Sequence, residues 1–209
     1  MLARPRLAAI DLDGTLLRSD HTVSERSRAA VAAARAAGIE VVAATARSPR
    51  TARELAADAE IGGLAICANG ATVYDLETDS IVLHTPLPVE TAHVLVRGLR
   101  ERFPDVVFGW EYELRFGSEP AYETQRDETW WPRPEGSYEP CDALEWQLPM
   151  TKLLARLPDA DLEQVLAVAA KLAGGDASAT LAGTAFVELA APVPFPCRRP
   201  ARGARARPA

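Results

Sequence analysis

Three short apolar runs open the chain, each closed by polar or turn-forming residues. Residues 7–10 (Leu-Ala-Ala-Ile) stop at Asp11, residues 40–45 (Glu-Val-Val-Ala-Ala-Thr) at Ala46-Arg47, and residues 64–68 at Asn69-Gly70. Runs of this length fit strands of a parallel sheet covered on both faces. Between the first two, Ser24 precedes an alanine-rich stretch, 25–37, closed by Gly38. A Ser cap and a Gly stop bound a helix. Strand, helix, strand over this length predicts a βαβ unit with parallel strands. Pro49 falls in the first turn of a second helix, for which Thr45 is a candidate cap. Residues 71–76 and 80–84 alternate around Glu77-Thr78-Asp79 and predict a β-hairpin.

After Pro86 and Pro88 the pattern changes. Residues 89–103 place leucines and valines at helical spacing, and residues 106–116 are strand-like and aromatic, with Phe108, Trp110 and Tyr112. Residues 117–142 are rich in Pro, Gly and acids, carry Trp130-Trp131, and read as a surface loop. Residues 152–157 predict a strand, 162–173 a helix, and 178–181 and 186–189 two further strands. No internal repeat is present.

The chemistry concentrates where the first run ends. Asp11 and Asp13 sit two apart, and side chains at i and i+2 of an extended segment point the same way. Two adjacent carboxylates repel, so the site suits a hard cation such as Mg²⁺, or a pair with split acid and base roles. Gly14 allows a tight turn, and Thr15 adds a hydroxyl and an amide. This set suits a phosphate ester: one carboxylate attacks phosphorus, the other handles the leaving-group proton, and a metal screens charge. In open α/β sheets ligands bind at such strand ends. A calcium loop is excluded, because positions 5, 6 and 12 counted from Asp11 hold Thr15, Leu16 and Thr22.

Asp11-Leu12-Asp13-Gly14-Thr15-Leu16-Leu17 resembles the first motif of the haloacid dehalogenase-like hydrolase superfamily. Later segments resemble its Cof-type branch of sugar-phosphate phosphatases: Thr45-Ala46-Arg47, with alanine where glycine is usual, Asn69-Gly70-Ala71, and Lys152-Leu153-Leu154. The resemblance implies an α/β fold. A Rossmann-like parallel-sheet core over residues 1–85 would be followed by an inserted α+β cap over 86–189 that excludes water and selects the substrate. It implies Asp11 as nucleophile, forming an aspartyl-phosphate, and Asp13 as general acid and base. Mg²⁺ would be held by the Asp11 carboxylate, the Asp13 backbone carbonyl and an acid from a fourth motif. Gly14, Thr15, Thr45, Arg47 and Asn69 would face a small phosphorylated metabolite. The Lys152 segment reads as structural. A phosphomutase, or a remnant that binds without turnover, are the alternatives.

Composition narrows this further. Of the 209 residues 48% are hydrophobic, enough for a real core, and the formal charge of −6 argues against a nucleic-acid binder. No apolar span reaches membrane length, and residues 1–10 do not form a signal peptide. Cys67, Cys141 and Cys197 are scattered and fit reduced thiols in the cytoplasm. His21, His84 and His93 show no metal spacing and receive no role.

One segment departs from the family pattern. The resemblance calls for a Gly-x-Ser-Lys segment after the cap and then a strand ending in Gly-Asp. Here residues 190–209 are Pro, Ala and Arg, with no lysine after Lys171 and no acid after Glu188. The five arginines at 198, 199, 202, 205 and 207 leave a formal charge of −11 on the remainder. The composition predicts a disordered tail, as from a shifted reading frame or a truncated gene, with a basic tail for an acidic partner or a missing half supplied by another chain as the alternatives. The core would then be incomplete, the strand bearing Asp11 a sheet edge, and the activity impaired.

Overall fold

The computed structural model describes residues 5–125, 136–158, 160–183 and 186–192. Trp130, Trp131, Cys197 and the tail from residue 193 onward lie outside the described residues.

The first sheet has the order β1 (Leu7–Ile10), β2 (Glu40–Ala44), β3 (Leu64–Cys67), β4 (Thr72–Asp75), β5 (Ser80–His84). The first three strands run parallel, and β4 and β5 form the predicted hairpin, joined antiparallel to β3. Helix α1 (Glu25–Ala36) crosses from β1 to β2, and its cap Ser24 accepts from the Ser27 amide at 3.0 Å. Helix α2 (Pro49–Asp58) crosses from β2 to β3, and its cap is Ser48 rather than Thr45. Leu12, Val31, Val41, Ala43, Ala52, Ala65 and Tyr74 build the core between sheet and helices.

Strand β1 is not covered on both faces. Among the described residues it has one strand neighbour, β2, and Leu7 is 53% exposed.

The second sheet has the order β7 (Arg115–Ser118), β6 (Val107–Tyr112), β8 (Lys152–Arg156), β10 (Phe186–Ala190), β9 (Ser178–Ala182), all antiparallel. The single strand expected over 106–116 is instead a hairpin, turning at Glu113, whose φ is 52°. Part of the expected loop 117–142 is ordered as the end of β7 and the short helix α4 (Pro120–Thr124). Helices α3 (Val89–Arg102) and α5 (Leu162–Ala173) cover one face of this sheet.

Strand alternation decides which residues meet those helices. Phe108, Trp110, Leu153, Ala155, Val187 and Leu189 point into the helix-covered core. Their neighbours Glu111, Lys152 and Glu188 therefore lie on the opposite face, which turns toward the first sheet.

Candidate active site

The loops after β1, β2 and β3 leave the same ends of three parallel strands, and they carry all the candidate residues. After β1 the chain forms one wide turn, with the Leu16 amide donating to the Asp11 carbonyl at 3.2 Å and the Leu17 amide to the Leu12 carbonyl at 2.9 Å. Gly14 makes this possible with φ of 72°. Leu12 is fully buried while Asp11 and Asp13 stay half-buried, so the middle residue anchors the loop and turns both acids to the opening.

Asp13 is gripped from the next loop. Arg47 donates from Nε to Oδ2 and from Nη2 to Oδ1, both at 2.8 Å. Such a fork is the strongest geometry available to a carboxylate. Arg47 Nη2 also lies 3.2 Å from His21 Nδ1. Among the described residues, no hydrogen bond or ion pair reaches the Asp11 carboxylate. Thr45 is buried, and its hydroxyl accepts from the Arg47 amide at 3.1 Å. Backbone φ at Ala46 is not positive, so alanine in place of glycine carries no strain.

The loop after β3 is tied to the loop after β2. The Ala68 amide donates to the Arg47 carbonyl at 2.8 Å, and the Asn69 amide to the Thr45 carbonyl at 3.2 Å. Ala68 and Asn69 both have positive φ, 52° and 57°. The Asn69 side chain reaches across to the second sheet. Its Nδ2 donates to Glu188 Oε2 of the second sheet at 2.9 Å.

Sequence reasoning missed the group that Asn69 joins. Lys152 Nζ, buried between the sheets, donates to Glu188 Oε1 at 2.6 Å and to the Ala46 carbonyl at 3.0 Å. Burial alone would lower the Lys152 pKa, but Glu111 and Glu188 outweigh it and hold it above the usual lysine value. Glu111 lies 3.8 Å from Lys152 and 3.3 Å from Arg50 of α2. The thiol of Cys67, at the end of β3, is pushed up to about 12 by burial and by the Glu111 charge. The available signal was the lone Glu188 inside the apolar strand β10, which demands a buried partner.

Which residues would hold a metal follows from the free oxygens. No group of three or more His, Cys, Asp or Glu is arranged for a metal among the described residues. The half-buried, unengaged Asp11 carboxylate still fits a magnesium ion, which binds through one or two carboxylates and completes its shell with water and phosphate oxygens.

Carboxylates at the ends of parallel strands, facing a second sheet with its own helices, define an α/β protein with an acidic site at its strand ends. A family model for haloacid dehalogenase-like hydrolases matches residues 8–192, and the chain belongs to that family, in its Cof-type branch. Among curated relatives, the 5-amino-6-(5-phospho-D-ribitylamino)uracil phosphatase of Bacillus subtilis is 37% identical over 83 residues, 38% of this chain and 33% of the relative. The pyridoxal phosphate phosphatase of Escherichia coli is 34% identical over 96 residues, 46% of this chain and 35% of the relative. These matches thus span about a third of each curated relative. A haloacid dehalogenase-like hydrolase from Bacteroides thetaiotaomicron superposes with a TM-score of 0.70 at 23% identity, over 90% of this chain and 71% of that one. A Thermotoga maritima structure superposes with a TM-score of 0.67 at 20% identity, over 90% and 70%.

Proposed function

We propose that this chain binds small phosphomonoesters at the ends of β1, β2 and β3, and that its chemistry is magnesium-dependent hydrolysis through an aspartyl-phosphate. The observation that carries this reading is an unengaged Asp11 carboxylate beside an Asp13 fixed by Arg47. Relatives that act on phosphate esters support it.

Asp11 would attack phosphorus while the bond to the leaving oxygen breaks, and Asp13 would supply the proton that oxygen takes up. Water would then attack the same phosphorus. Asp13 would accept its proton, and the Asp11 carboxylate would be released with inorganic phosphate. Because Arg47 holds both Asp13 oxygens, this proton traffic requires the fork to shift toward the phosphate. Thr45, Gly14 and Thr15 would offer hydroxyl and amide donors to the phosphoryl oxygens. A bound magnesium ion supplies charge screening between Asp11 and phosphate. The reduced Cys67 and Cys141 fit a cytoplasmic setting.

The 209-residue chain by itself would turn over slowly. Its one lysine near these loops, Lys152, is committed to Glu188 and the Ala46 carbonyl. Lacking a charge stabiliser typically costs ~10²–10³ in rate. The test is an aryl phosphate assay under a Mg²⁺ titration, with phosphate release measured directly to separate hydrolysis from transfer to a second sugar position. Slow, Mg²⁺-dependent release lost in Asp11→Asn is expected. Release unchanged in Asp11→Asn refutes the site, and binding without release leaves a ligand-binding remnant.

A further inference from the structure

We propose that Lys152 and Glu188 are positioning residues that bolt the second sheet onto the loops after β2 and β3 and fix the Thr45–Arg47 segment. The contacts run in one chain. Lys152 Nζ holds the Ala46 carbonyl at 3.0 Å and Glu188 at 2.6 Å, and Glu188 holds Asn69 Nδ2 at 2.9 Å. Ala46 lies between Thr45 and Arg47, so its carbonyl sets the peptide plane from which Arg47 reaches Asp13.

The bolt closes on itself because the two loops are already joined. The amides of Ala68 and Asn69 donate to the carbonyls of Arg47 and Thr45. Cap and core thus clamp the same backbone from two directions. Lys152 and Glu188 are 3% and 6% exposed, so neither charge has water as an alternative partner. Burying such a pair rarely adds net stability, since desolvation offsets attraction, but losing one member strands the other. Its return is geometric: a charged pair tolerates one arrangement where an apolar contact tolerates several.

The catalytic meaning of the bolt rests on the phosphatase reading, whereas the clamp itself does not. The experiment is therefore amide hydrogen exchange by NMR on the full chain, which needs no substrate. Lys152→Met and Glu188→Ala are expected to speed exchange at the amides of Arg47, Ala68 and Asn69 by about tenfold or more relative to β2 and α5, as a local opening. Lys152→Arg keeps a cationic donor and is expected to keep most of the protection. Equal acceleration at every amide would mean lost stability alone and overturns the proposal. So does exchange at the three amides that stays within about twofold of the parent in both variants. If exchange responds as expected but no variant or parent releases phosphate, the clamp stands and the phosphatase reading falls.

Discussion

Removing Arg47 should cost the core a measurable coupling with Asp13. Two charge-assisted bonds at 2.8 Å join them. Fully buried, two such bonds would sum to about 3–6 kcal/mol, at 1.5–3 each. Fully exposed, an ion pair is worth about 0.2–1 kcal/mol. The side chains are 21% and 43% exposed, so the pair lies between these limits. A coupling of about 1–2 kcal/mol follows. It is isolated by a double-mutant cycle of Asp13→Asn and Arg47→Ala, with urea unfolding followed by far-ultraviolet circular dichroism. Arg47→Lys should recover less than half, because an ammonium cannot meet both oxygens as the guanidinium does. Added salt should weaken the coupling only in part, since the pair is half shielded. A coupling under about 0.3 kcal/mol, or lysine performing as well as arginine, refutes the view that Arg47 fixes Asp13.

Two other perturbations test the frame around the site. A Cβ at Gly117 would lie 2.3 Å from Nε1 and 2.5 Å from Cε2 of the fully buried Trp110, so Gly117→Ala should destabilise by about 2–3 kcal/mol. Thermal unfolding of that variant within a degree of the parent would show the indole free to move. Leu7 is 53% exposed on β1, so Leu7→Lys should change stability by less than about 0.5 kcal/mol in urea unfolding. A loss above about 1 kcal/mol would mean that Leu7 is packed in the folded chain.

The strand-end loops were legible because their signal is local. In Asp11-Leu12-Asp13 the alternation of acid and apolar residue maps directly onto half-buried, fully buried, half-buried. The hairpin at Glu113 was not legible. Its turn carries no glycine or asparagine, and the alternation of apolar and charged residues continues across it to Phe116. The tertiary pairings were hidden for another reason. Glu188 lies 36 residues from Lys152 and 119 from Asn69, and sequence spacing says nothing about partners that far apart. The grip of the Arg47 guanidinium on Asp13 was likewise not legible, because it arises from two loops that leave adjacent parallel strands.

Charge balance separates the two polar groups of this molecule by purpose. Between the sheets, Arg50 and Lys152 face Glu111 and Glu188, so cations and carboxylates match in number. A charge-matched, largely buried set needs no further ion for neutrality, and its effect is to hold geometry, although Arg50 Nε and Glu111 Oε2 keep no hydrogen-bond partner among the described residues. At the strand ends Asp11 and Asp13 face Arg47, which leaves one carboxylate in excess. An unmatched carboxylate half-open to water costs little at rest and gains most when a cation arrives. Neutralising Asp11 by Asp11→Asn should therefore leave stability almost unchanged while abolishing Mg²⁺ binding measured by calorimetry. Removing a charge from the matched set should do the reverse. If the two sets respond alike, the division between a clamp and a reactive centre is wrong.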